Sequence, residues 1–200
     1  MADEPIPIAM TSDEVEMLGR HLVRGIRYLE FGAGGTTMFA LDQGVSQCCT
    51  VENDSTWIEK LRARPAVAAA EAEGRLVFHL AETGPLLKWG VPADAKSMPQ
   101  WPGYFLRPWS LMAPGPDLVL IDGRFRVACA LVALAMVAPP GVVLMHDFFE
   151  GNPMRRNYPR LLEVADIVER SSNLVRLERK AEVTTAGLLG RLSEVWTDFG

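Results

Sequence analysis

Short, continuously apolar segments alternate with helix-like segments along most of this chain, and this alternation constrains the fold more than any other feature. Residues 117–122 (DLVLID) and 141–147 (GVVLMHD) each carry four consecutive apolar residues. Strands that are apolar on both faces are typical of a parallel sheet that helices cover on both sides. The pattern therefore predicts a doubly wound, Rossmann-like α/β fold with a mostly parallel sheet.

The remaining segments extend this pattern in both directions. Residues 158–170 (YPRLLEVADIVER) are predicted as an amphipathic helix, and the tail from residue 186 fits either a last strand or a helix. Ser12 is the predicted cap of the first helix. The other predicted strands cover 26–31, 45–52, 75–82 and 173–180, and the other predicted helices cover 36–43, 55–64, 65–73 and 127–138.

Length and composition fit one globular domain over residues 1–200, because 48% of the residues are hydrophobic. The net charge of -5 argues against non-specific binding to nucleic acid or to an anionic membrane. The N-terminus lacks the pattern of a signal peptide, and the most apolar segment, 127–138, is too short to span a bilayer. We therefore expect a soluble cytoplasmic protein with no nucleic-acid or membrane partner, and we leave its oligomeric state open.

Residues 83–116 interrupt the alternation. This segment contains seven prolines, four glycines and three tryptophans, and no regular period runs through it. Disordered segments are poor in aromatic residues, and long irregular loops in compact domains are usually functional or disordered. The sequence predicts an ordered lid or wall over a pocket; the alternative is a structural excursion that contacts no ligand.

Ligands of doubly wound sheets bind outside the carboxyl ends of the strands, which directs attention to the glycine-rich turn in residues 28–37 (YLEFGAGGTT). Gly32 and Gly34 have the spacing of a dinucleotide-binding turn, but Thr37 occupies the third glycine position. Glu52, about twenty residues further on, can accept hydrogen bonds from ribose hydroxyls. The alternative is that the glycines only permit a tight turn and that Glu52 is a solvated strand end.

Glu30 distinguishes between the possible ligands of this turn. A carboxylate two residues before Gly32 would repel a pyrophosphate and attract a ligand that carries an ammonium and a sulfonium group. S-adenosylmethionine is such a ligand, and it offers ribose hydroxyls to Glu52 without any phosphate. The turn therefore favours an adenosyl sulfonium compound over a dinucleotide.

Four segments in order, EFGAGGTT, TVENDSTW, DLVLIDGRF and VVLMHDF, resemble motifs of the class I S-adenosylmethionine-dependent methyltransferase superfamily. The resemblance implies a seven-stranded sheet with an antiparallel last strand, and S-adenosylmethionine as cofactor. It also implies that Glu30, Gly32 and Gly34 line the methionine part, that Glu52 holds the ribose and that Glu82 meets the adenine amino group. The other residues that we expect to bind the cofactor are Ala33, Gly35, Thr36 and Asn53.

Asp122 and Asp147 end two predicted strands and are the first catalytic candidates. Related catechol-type O-methyltransferases place acids at two such positions, with a following asparagine, to bind a divalent cation, but here Phe148 follows Asp147. His146 should point away from Asp147, because neighbours on a strand face opposite sides, so we predict no metal. His146 or Asp147 is the candidate general base; the alternative is that Asp147 caps the next segment and Asp122 orients its own loop.

Arginines follow both of these strands. Arg124 and Arg126 come after Asp122 at the start of a helix, where anions bind well, and Arg155, Arg156 and Arg160 follow the fifth strand. An arginine fork binds carboxylate or phosphate at two points. Arg124, Arg126 and Arg155 are therefore predicted to bind an anionic acceptor; the alternative is that the arginines pair with Asp122, Asp147 or Glu150.

The leading functional hypothesis is methyl transfer from S-adenosylmethionine to an oxygen or nitrogen of a small, anionic acceptor. Two alternatives remain: a non-catalytic module that binds S-adenosylmethionine or a partner, and a nicotinamide-dependent oxidoreductase. Glu30 and Thr37 count against the oxidoreductase, and the sequence lacks a Tyr-x-x-x-Lys pair for proton relay.

Overall fold

A computed structural model describes residues 6–149, 151, 155 and 157–199; Glu150 and Arg156, which we named above, lie outside this part of the chain. Over these residues the chain forms one seven-stranded sheet in the order β3-β2-β1-β4-β5-β7-β6. The strands are β1 (Arg27–Phe31), β2 (Gln47–Glu52), β3 (Leu76–Leu80), β4 (Leu118–Ile121), β5 (Val142–Met145), β6 (Ala165–Ser171) and β7 (Leu174–Arg179).

The sheet is mostly parallel, as the apolar strands predict. Strands β3, β2, β1, β4 and β5 pair in parallel, and β7 runs antiparallel to both β5 and β6. The chain winds from β1 outwards to β3 and then returns to place β4 on the other side of β1. The carboxyl ends of β1 and β4 therefore flank the topological switch point, where ligands of such sheets bind.

Helices cover both faces of the sheet, which confirms the doubly wound fold. The first four helices contribute to the apolar cluster on one face, and the last four contribute to the cluster on the opposite face. In the described part of the chain the α-helices are α1 (Ser12–His21), α2 (Gly35–Asp42), α3 (Ser55–Arg62), α4 (Pro65–Ala72), α5 (Pro102–Leu106), α6 (Arg126–Met136), α7 (Tyr158–Leu161) and α8 (Thr185–Val195).

The cap of α1 differs from the prediction by one residue. Thr11, not Ser12, accepts the hydrogen bond from the backbone N–H of Glu14, at 3.3 Å, and the Glu14 carboxylate accepts from the backbone N–H of Thr11 at 2.7 Å. This reciprocal pair is a capping box. It fixes the Glu14 side chain at the start of α1.

The amphipathic helix predicted over residues 158–170 is wrong. Only α7 is helical, and Ala165–Ser171 form the edge strand β6. Burial alternates along β6 with a period of two, which is the pattern of a strand with one face against the protein. The tail, which fitted either structure, forms α8, and Leu188 and Val195 of this helix are buried in the same apolar cluster as α6.

Residues 83–116 fold back onto the edge of the sheet and do not extend away from it. Leu86 and Pro92 pair in a short hairpin, and brief helical turns and α5 follow. Trp101 is buried against the Phe125 ring, whereas Trp89 at the hairpin tip is 78% exposed. The segment is therefore packed into the core through its second half and displays an aromatic side chain from its first half.

None of the helices in the described ranges combines the length and the apolar character that crossing a membrane would require.

Candidate active site

The carboxyl ends of the central strands meet at one edge of the sheet. The backbone N–H of Asp122 donates to Phe31 O, and that of His146 donates to Ile121 O, both at 2.9 Å. These bonds continue the parallel ladder past the last residues of β1 and β4. The loops after β1, β4 and β5 are therefore neighbours. The candidate residues were selected because they follow these strands, and they lie at the same end of the sheet.

The glycine-rich turn contacts the loop after β4 directly. Gly32 has a φ of +98°, and a Cβ at this position would lie 2.8 Å from the Cα of Gly123. Both properties require glycine. The Ala33 carbonyl accepts a hydrogen bond from Trp57 Nε1 at 2.6 Å, and the Gly34 N–H donates to the Thr37 hydroxyl at 3.0 Å. Thr37 thus stabilises the start of α2 in place of the third glycine.

Glu30 does not face the ligand side of this turn, so the predicted geometry is wrong. Its side chain is fully buried on the sheet face that α2 covers. The carboxylate accepts hydrogen bonds from Thr37 at 2.5 Å, Tyr28 at 3.1 Å, Thr50 at 3.3 Å, and from the Thr36 hydroxyl. Burial raises the pKa of Glu30 to about 7, although the hydroxyls that donate to the carboxylate oppose this shift.

Two further residues predicted to bind cofactor are covered by protein. A Cβ on Gly35 would lie 2.6 Å from the Pro7 carbonyl oxygen, because the segment before α1 rests on the start of α2. The Thr36 side chain is buried and donates to Glu30. Gly32, Ala33 and Gly34 are only partly buried and keep the predicted position at the edge of the sheet.

Glu52 ties the end of β2 to the glycine-rich turn. Its carboxylate accepts from the backbone N–H groups of Ala33, Asn53 and Asp54 at 3.2, 2.7 and 3.0 Å. Burial raises the pKa of Glu52, while these three N–H donors act against the rise. The carboxylate predicted to bind ribose is thus held beside the turn predicted to bind the methionine part.

A cavity of about 230 Å³ opens beside these groups at the carboxyl ends of β2 and β3. Glu82 is exposed at this cavity, and one of its carboxylate oxygens accepts from the Gly84 N–H at 3.2 Å. The Asn53 amide donates to the Thr83 hydroxyl at 2.7 Å and to the Gly90 carbonyl at 2.8 Å. The lining residues are Asn53, Asp54, Ser55, Leu80, Ala81, Glu82, Thr83, Gly84 and Leu86.

The three catalytic candidates lie together at the ends of β4 and β5. His146 Nδ1 is 2.9 Å from Asp122 Oδ1 and 3.8 Å from Asp147 Oδ1. The expectation that His146 and Asp147 point in opposite directions is wrong, because β5 ends at Met145 and Asp147 is left-handed with a φ of +56°. Aspartate is among the residues that tolerate this conformation, and the turn brings both side chains to Asp122.

Arg126 holds this cluster together and is 2% exposed. Its guanidinium lies 2.8 Å from Asp147 Oδ2 and 3.3 Å from Asp122 Oδ1. It also donates to the carbonyls of Asp122, His146 and Gly123 at 2.8 to 2.9 Å. The prediction that Arg126 binds substrate is therefore wrong, and the stated alternative, pairing with Asp122 and Asp147, is what the structure contains.

One carboxylate oxygen each of Asp122 and Asp147 and one ring nitrogen of His146 all lie within 4.8 Å of one another. A divalent cation could bind atoms at this spacing. Such an ion would have to share both carboxylates with the buried Arg126 guanidinium. The ion and the guanidinium are both positive and would contact the same carboxylates, so they would repel each other strongly where water is excluded. The donor set therefore fits an internal ion-pair network better than it fits a metal centre.

Glu14 is a member of this cluster that sequence reasoning missed. It is 2% exposed, and its Oε2 lies 3.5 Å from His146 Nε2, so the imidazole stands between two carboxylates. Burial alone would lower the pKa of His146, but Asp122, Asp147 and Glu14 outweigh burial and raise it. The Thr11-x-x-Glu14 pattern signals the cap of α1, but no local pattern signals the contact with a histidine so distant in sequence.

Tyr104 joins residues 83–116 to the cluster and was also missed. Its hydroxyl accepts from the backbone N–H of Arg124 at 3.1 Å, and its ring stacks on Phe31. Because the hydroxyl packs against Gly123, a Cβ at position 123 would overlap it. The segment predicted to be a lid or wall is thus anchored at the ends of β1 and β4.

We expect Gly123→Ala to lower the melting temperature by about 2–12 °C, since overpacking costs about 1–3 kcal/mol and each kcal/mol shifts a domain of this size by about 2–4 °C. Tyr104→Phe in the same variant should recover part of the loss, because it removes the overlapping oxygen while Gly32 still crowds the new methyl group. Thermal unfolding of the two single variants and the double variant measures this coupling. Strictly additive losses of melting temperature would contradict the close contact between position 123 and the Tyr104 hydroxyl.

The strand order, the antiparallel β7 and the glycine-rich turn facing Glu52 define the class of the fold, which is that of class I S-adenosylmethionine-dependent methyltransferases. The chain is similar to a methyltransferase-like protein from Silicibacter pomeroyi DSS-3, with 25% identity over 98% of this chain and 99% of that one and a TM-score of 0.80.

Two more distant structures share the fold alone. An O-methyltransferase from Bacillus cereus, solved with S-adenosylhomocysteine, has 12% identity over 86% of this chain and 83% of its own, with a TM-score of 0.55. A proposed RNA methyltransferase from Pyrococcus horikoshii has 13% identity over 84% of this chain and 82% of its own, with a TM-score of 0.50. No family model and no curated protein matches the chain.

Proposed function

We propose that this chain is an S-adenosylmethionine-dependent methyltransferase that acts on an oxygen or nitrogen of a small, anionic acceptor. The observation that carries the proposal is the Glu52 carboxylate, held 3.2 Å from the backbone N–H of Ala33 in the glycine-rich turn, within a methyltransferase fold. The residues that follow Glu52, Asn53 and Asp54, line an open cavity. Three buried, unbridged cysteines, Cys48, Cys49 and Cys129, fit a reducing compartment such as the cytoplasm.

The cofactor would lie along the edge of the sheet, from the glycine-rich turn to the cavity. Gly32, Ala33 and Gly34 would hold the methionine part, and Glu52 would accept hydrogen bonds from the ribose hydroxyls. Asn53 and Glu82 line the cavity in which the adenine would fit. When bound, the cofactor supplies an electrophilic methyl group on a sulfonium, so the protein has to align the acceptor and exclude water.

The side chains at the ends of β4 and β5 are already paired with one another, and this favours an acceptor that needs little deprotonation. Burial would lower the pKa of His146, but Asp122, Asp147 and Glu14 raise it and so favour the protonated imidazole. Burial would raise the pKa of Asp147, but Arg126, His146 and Arg155 together lower it. Asp122 and Asp147 would therefore orient the acceptor and stabilise positive charge, and a metal ion would compete with Arg126 for both carboxylates.

Ligand-induced stabilisation tests the cofactor assignment. At a hundredfold excess over Kd a ligand adds about 2.7 kcal/mol, which is about 5–10 °C in a domain of this size. We expect this shift with S-adenosylmethionine and S-adenosylhomocysteine but not with NAD or ATP. A shift with NAD alone would support the oxidoreductase alternative, and no shift with either adenosyl compound would refute the proposal.

Glu52→Gln should weaken S-adenosylhomocysteine binding by about 10–100-fold, because hydrogen bonds to charged groups are worth about 1.5–3 kcal/mol. The amide oxygen preserves one acceptor for the backbone N–H groups, so the fold should survive. Isothermal titration calorimetry gives the Kd, and Glu59→Gln, on the exposed face of α3, is the matched control. An unchanged Kd in Glu52→Gln would remove the ribose-binding role.

A turnover assay separates a methyltransferase from a module that only binds the cofactor. S-adenosylhomocysteine should accumulate with small carboxylates or phosphates as acceptors. Total tRNA serves as a second acceptor class, because fold neighbours act on several kinds of acceptor and the fold alone does not select one. The net charge of -5 supports a small molecule over RNA; methylation of tRNA alone would overturn that choice.

A further inference from the structure

The cavity at the carboxyl ends of β2 and β3 has a hairpin, residues 84–93, as one of its walls. Gly84 and Leu86 of this hairpin line the cavity. Only Pro92 is buried among the hairpin residues, and Leu87 near the tip is 59% exposed. Buried apolar surface therefore contributes little to holding the tip in place, and its position depends on specific polar contacts.

The buried Asn53 side chain connects this hairpin to the end of β2. Its amide nitrogen donates to the Thr83 hydroxyl at the base of the hairpin, at 2.7 Å, and to the Gly90 carbonyl at the tip, at 2.8 Å. These two bonds use both hydrogens of the amide group. Among the residues that the structure describes, Asn53 is the only one outside the hairpin that forms a hydrogen bond with residues 87–91.

The contact between Asn53 and the tip is close, and the base of the hairpin has a second anchor. Gly90 has a φ of +69°, and a Cβ at this position would lie 2.7 Å from Asn53 Oδ1. The Thr83 carbonyl accepts from Trp101 Nε1 at 3.2 Å, so the base is fixed to the core without Asn53. The backbone N–H of Asn53 donates to Glu52 Oε1 at 2.7 Å. One residue thus contacts the Glu52 carboxylate through its backbone and the hairpin tip through its side chain.

We propose that Asn53 is a positioning residue, whose amide group holds the hairpin against the end of β2 and thereby shapes the cavity for the adenine. The inference rests on the proposed function, because it concerns the same cofactor site. Both amide hydrogens are already donated to protein, so Asn53 acts on the cofactor through the hairpin and not by donating to it. A ligand in the cavity would contact Gly84 and Leu86, whose positions the amide maintains.

Amide hydrogen exchange and calorimetry together test this role. The Leu87 and Ala93 N–H groups donate across the hairpin, and in unliganded Asn53→Ala they should exchange about tenfold faster than in the wild-type protein, the effect of one or two lost hydrogen bonds. S-adenosylhomocysteine should bind this variant about 5–10-fold more weakly. Gly90→Ala disturbs the same contact from the hairpin side and should cause both changes. Gly74→Ala is the matched control, because Gly74 has a φ of +71° and its Cβ would contact nothing.

Three results would overturn the inference. Weaker binding by Asn53→Ala with unchanged hairpin exchange would mean that Asn53 contacts the cofactor directly, and faster exchange with unchanged affinity would mean that the hairpin does not shape the cavity. Equal hairpin exchange in Gly90→Ala and Gly74→Ala would also contradict it. Asn53→Asp, which lacks the amide donors, replaces Asn53→Ala if the latter does not fold. If the wild-type protein binds no S-adenosylhomocysteine, the cofactor assignment fails, whereas the exchange measurement still decides whether Asn53 holds the hairpin.

Discussion

Replacing Arg126 with lysine is expected to lower the free energy of unfolding by about 3–5 kcal/mol, the cost of breaking a buried ion pair. The guanidinium contacts Asp122 and Asp147 and also donates to three backbone carbonyls. An ammonium group has three donors and no planar fork, so it cannot occupy all of these positions. Urea unfolding should show the loss, and the melting temperature should fall by about 6–20 °C.

Arg124→Lys is the matched control for this prediction, since Arg124 lies only two residues before Arg126, in the loop between β4 and α6. Its side chain has no ionic partner in the described part of the chain, so the substitution should change the unfolding free energy by no more than about 0.5 kcal/mol. Equal losses of unfolding free energy in the two variants would mean that the contacts of Arg126 with Asp122 and Asp147 do not stabilise the fold. A loss below about 1 kcal/mol in Arg126→Lys would mean that the ion pairs are far more exposed to water than their geometry implies.

The sheet was predictable because its inner strands are apolar on both faces. Such runs as residues 118–121 can only be buried between two layers of helices, and the alternation with helices then dictates parallel pairing. Strand β6 was missed because it is an edge strand, whose alternating polar and apolar residues also satisfy a helical pattern over a short window. The pairing of β6 with β7 is a tertiary contact, and it selects the strand over the helix.

The same uniform strands explain why the direction of Glu30 was not predictable. Residues 28 and 30 face one side of β1, and 29 and 31 face the other, but both sides are apolar, so the sequence does not tell which side carries α2. The proximity of Asp122 and Asp147 was predictable from strand ends alone, but that of His146 to Asp147 was not, because it depends on the left-handed backbone of Asp147 beyond β5. Glu14 and Tyr104 come from distant elements, and only packing brings them to the cluster.

Glu30→Gln is expected to remove a pH dependence of stability that amounts to about 3–4 kcal/mol. The pKa of Glu30 is about 7 in the folded chain, against a usual value of 4.5. The native state therefore binds the proton more tightly than the unfolded state, and stability present below pH 4.5 is lost as the pH rises through 7. A difference of 2.5 units at about 1.4 kcal/mol per unit gives the expected total.

Urea unfolding from pH 5 to pH 8.5 measures this effect as the stability of Glu30→Gln minus that of the wild-type protein. The difference should rise with pH up to about 7 and then level off, whereas Glu16→Gln, an exposed change on α1, should show no such rise. A pH-independent difference would mean that the four hydroxyls around Glu30 stabilise its charged form as well as water does.

Because Thr36 and Thr37 lie in the first turn of α2, protonation of Glu30 also changes the hydrogen bonds that support the glycine-rich turn. The affinity for S-adenosylhomocysteine should therefore vary with pH over the same range in the wild-type protein, and less in Glu30→Gln.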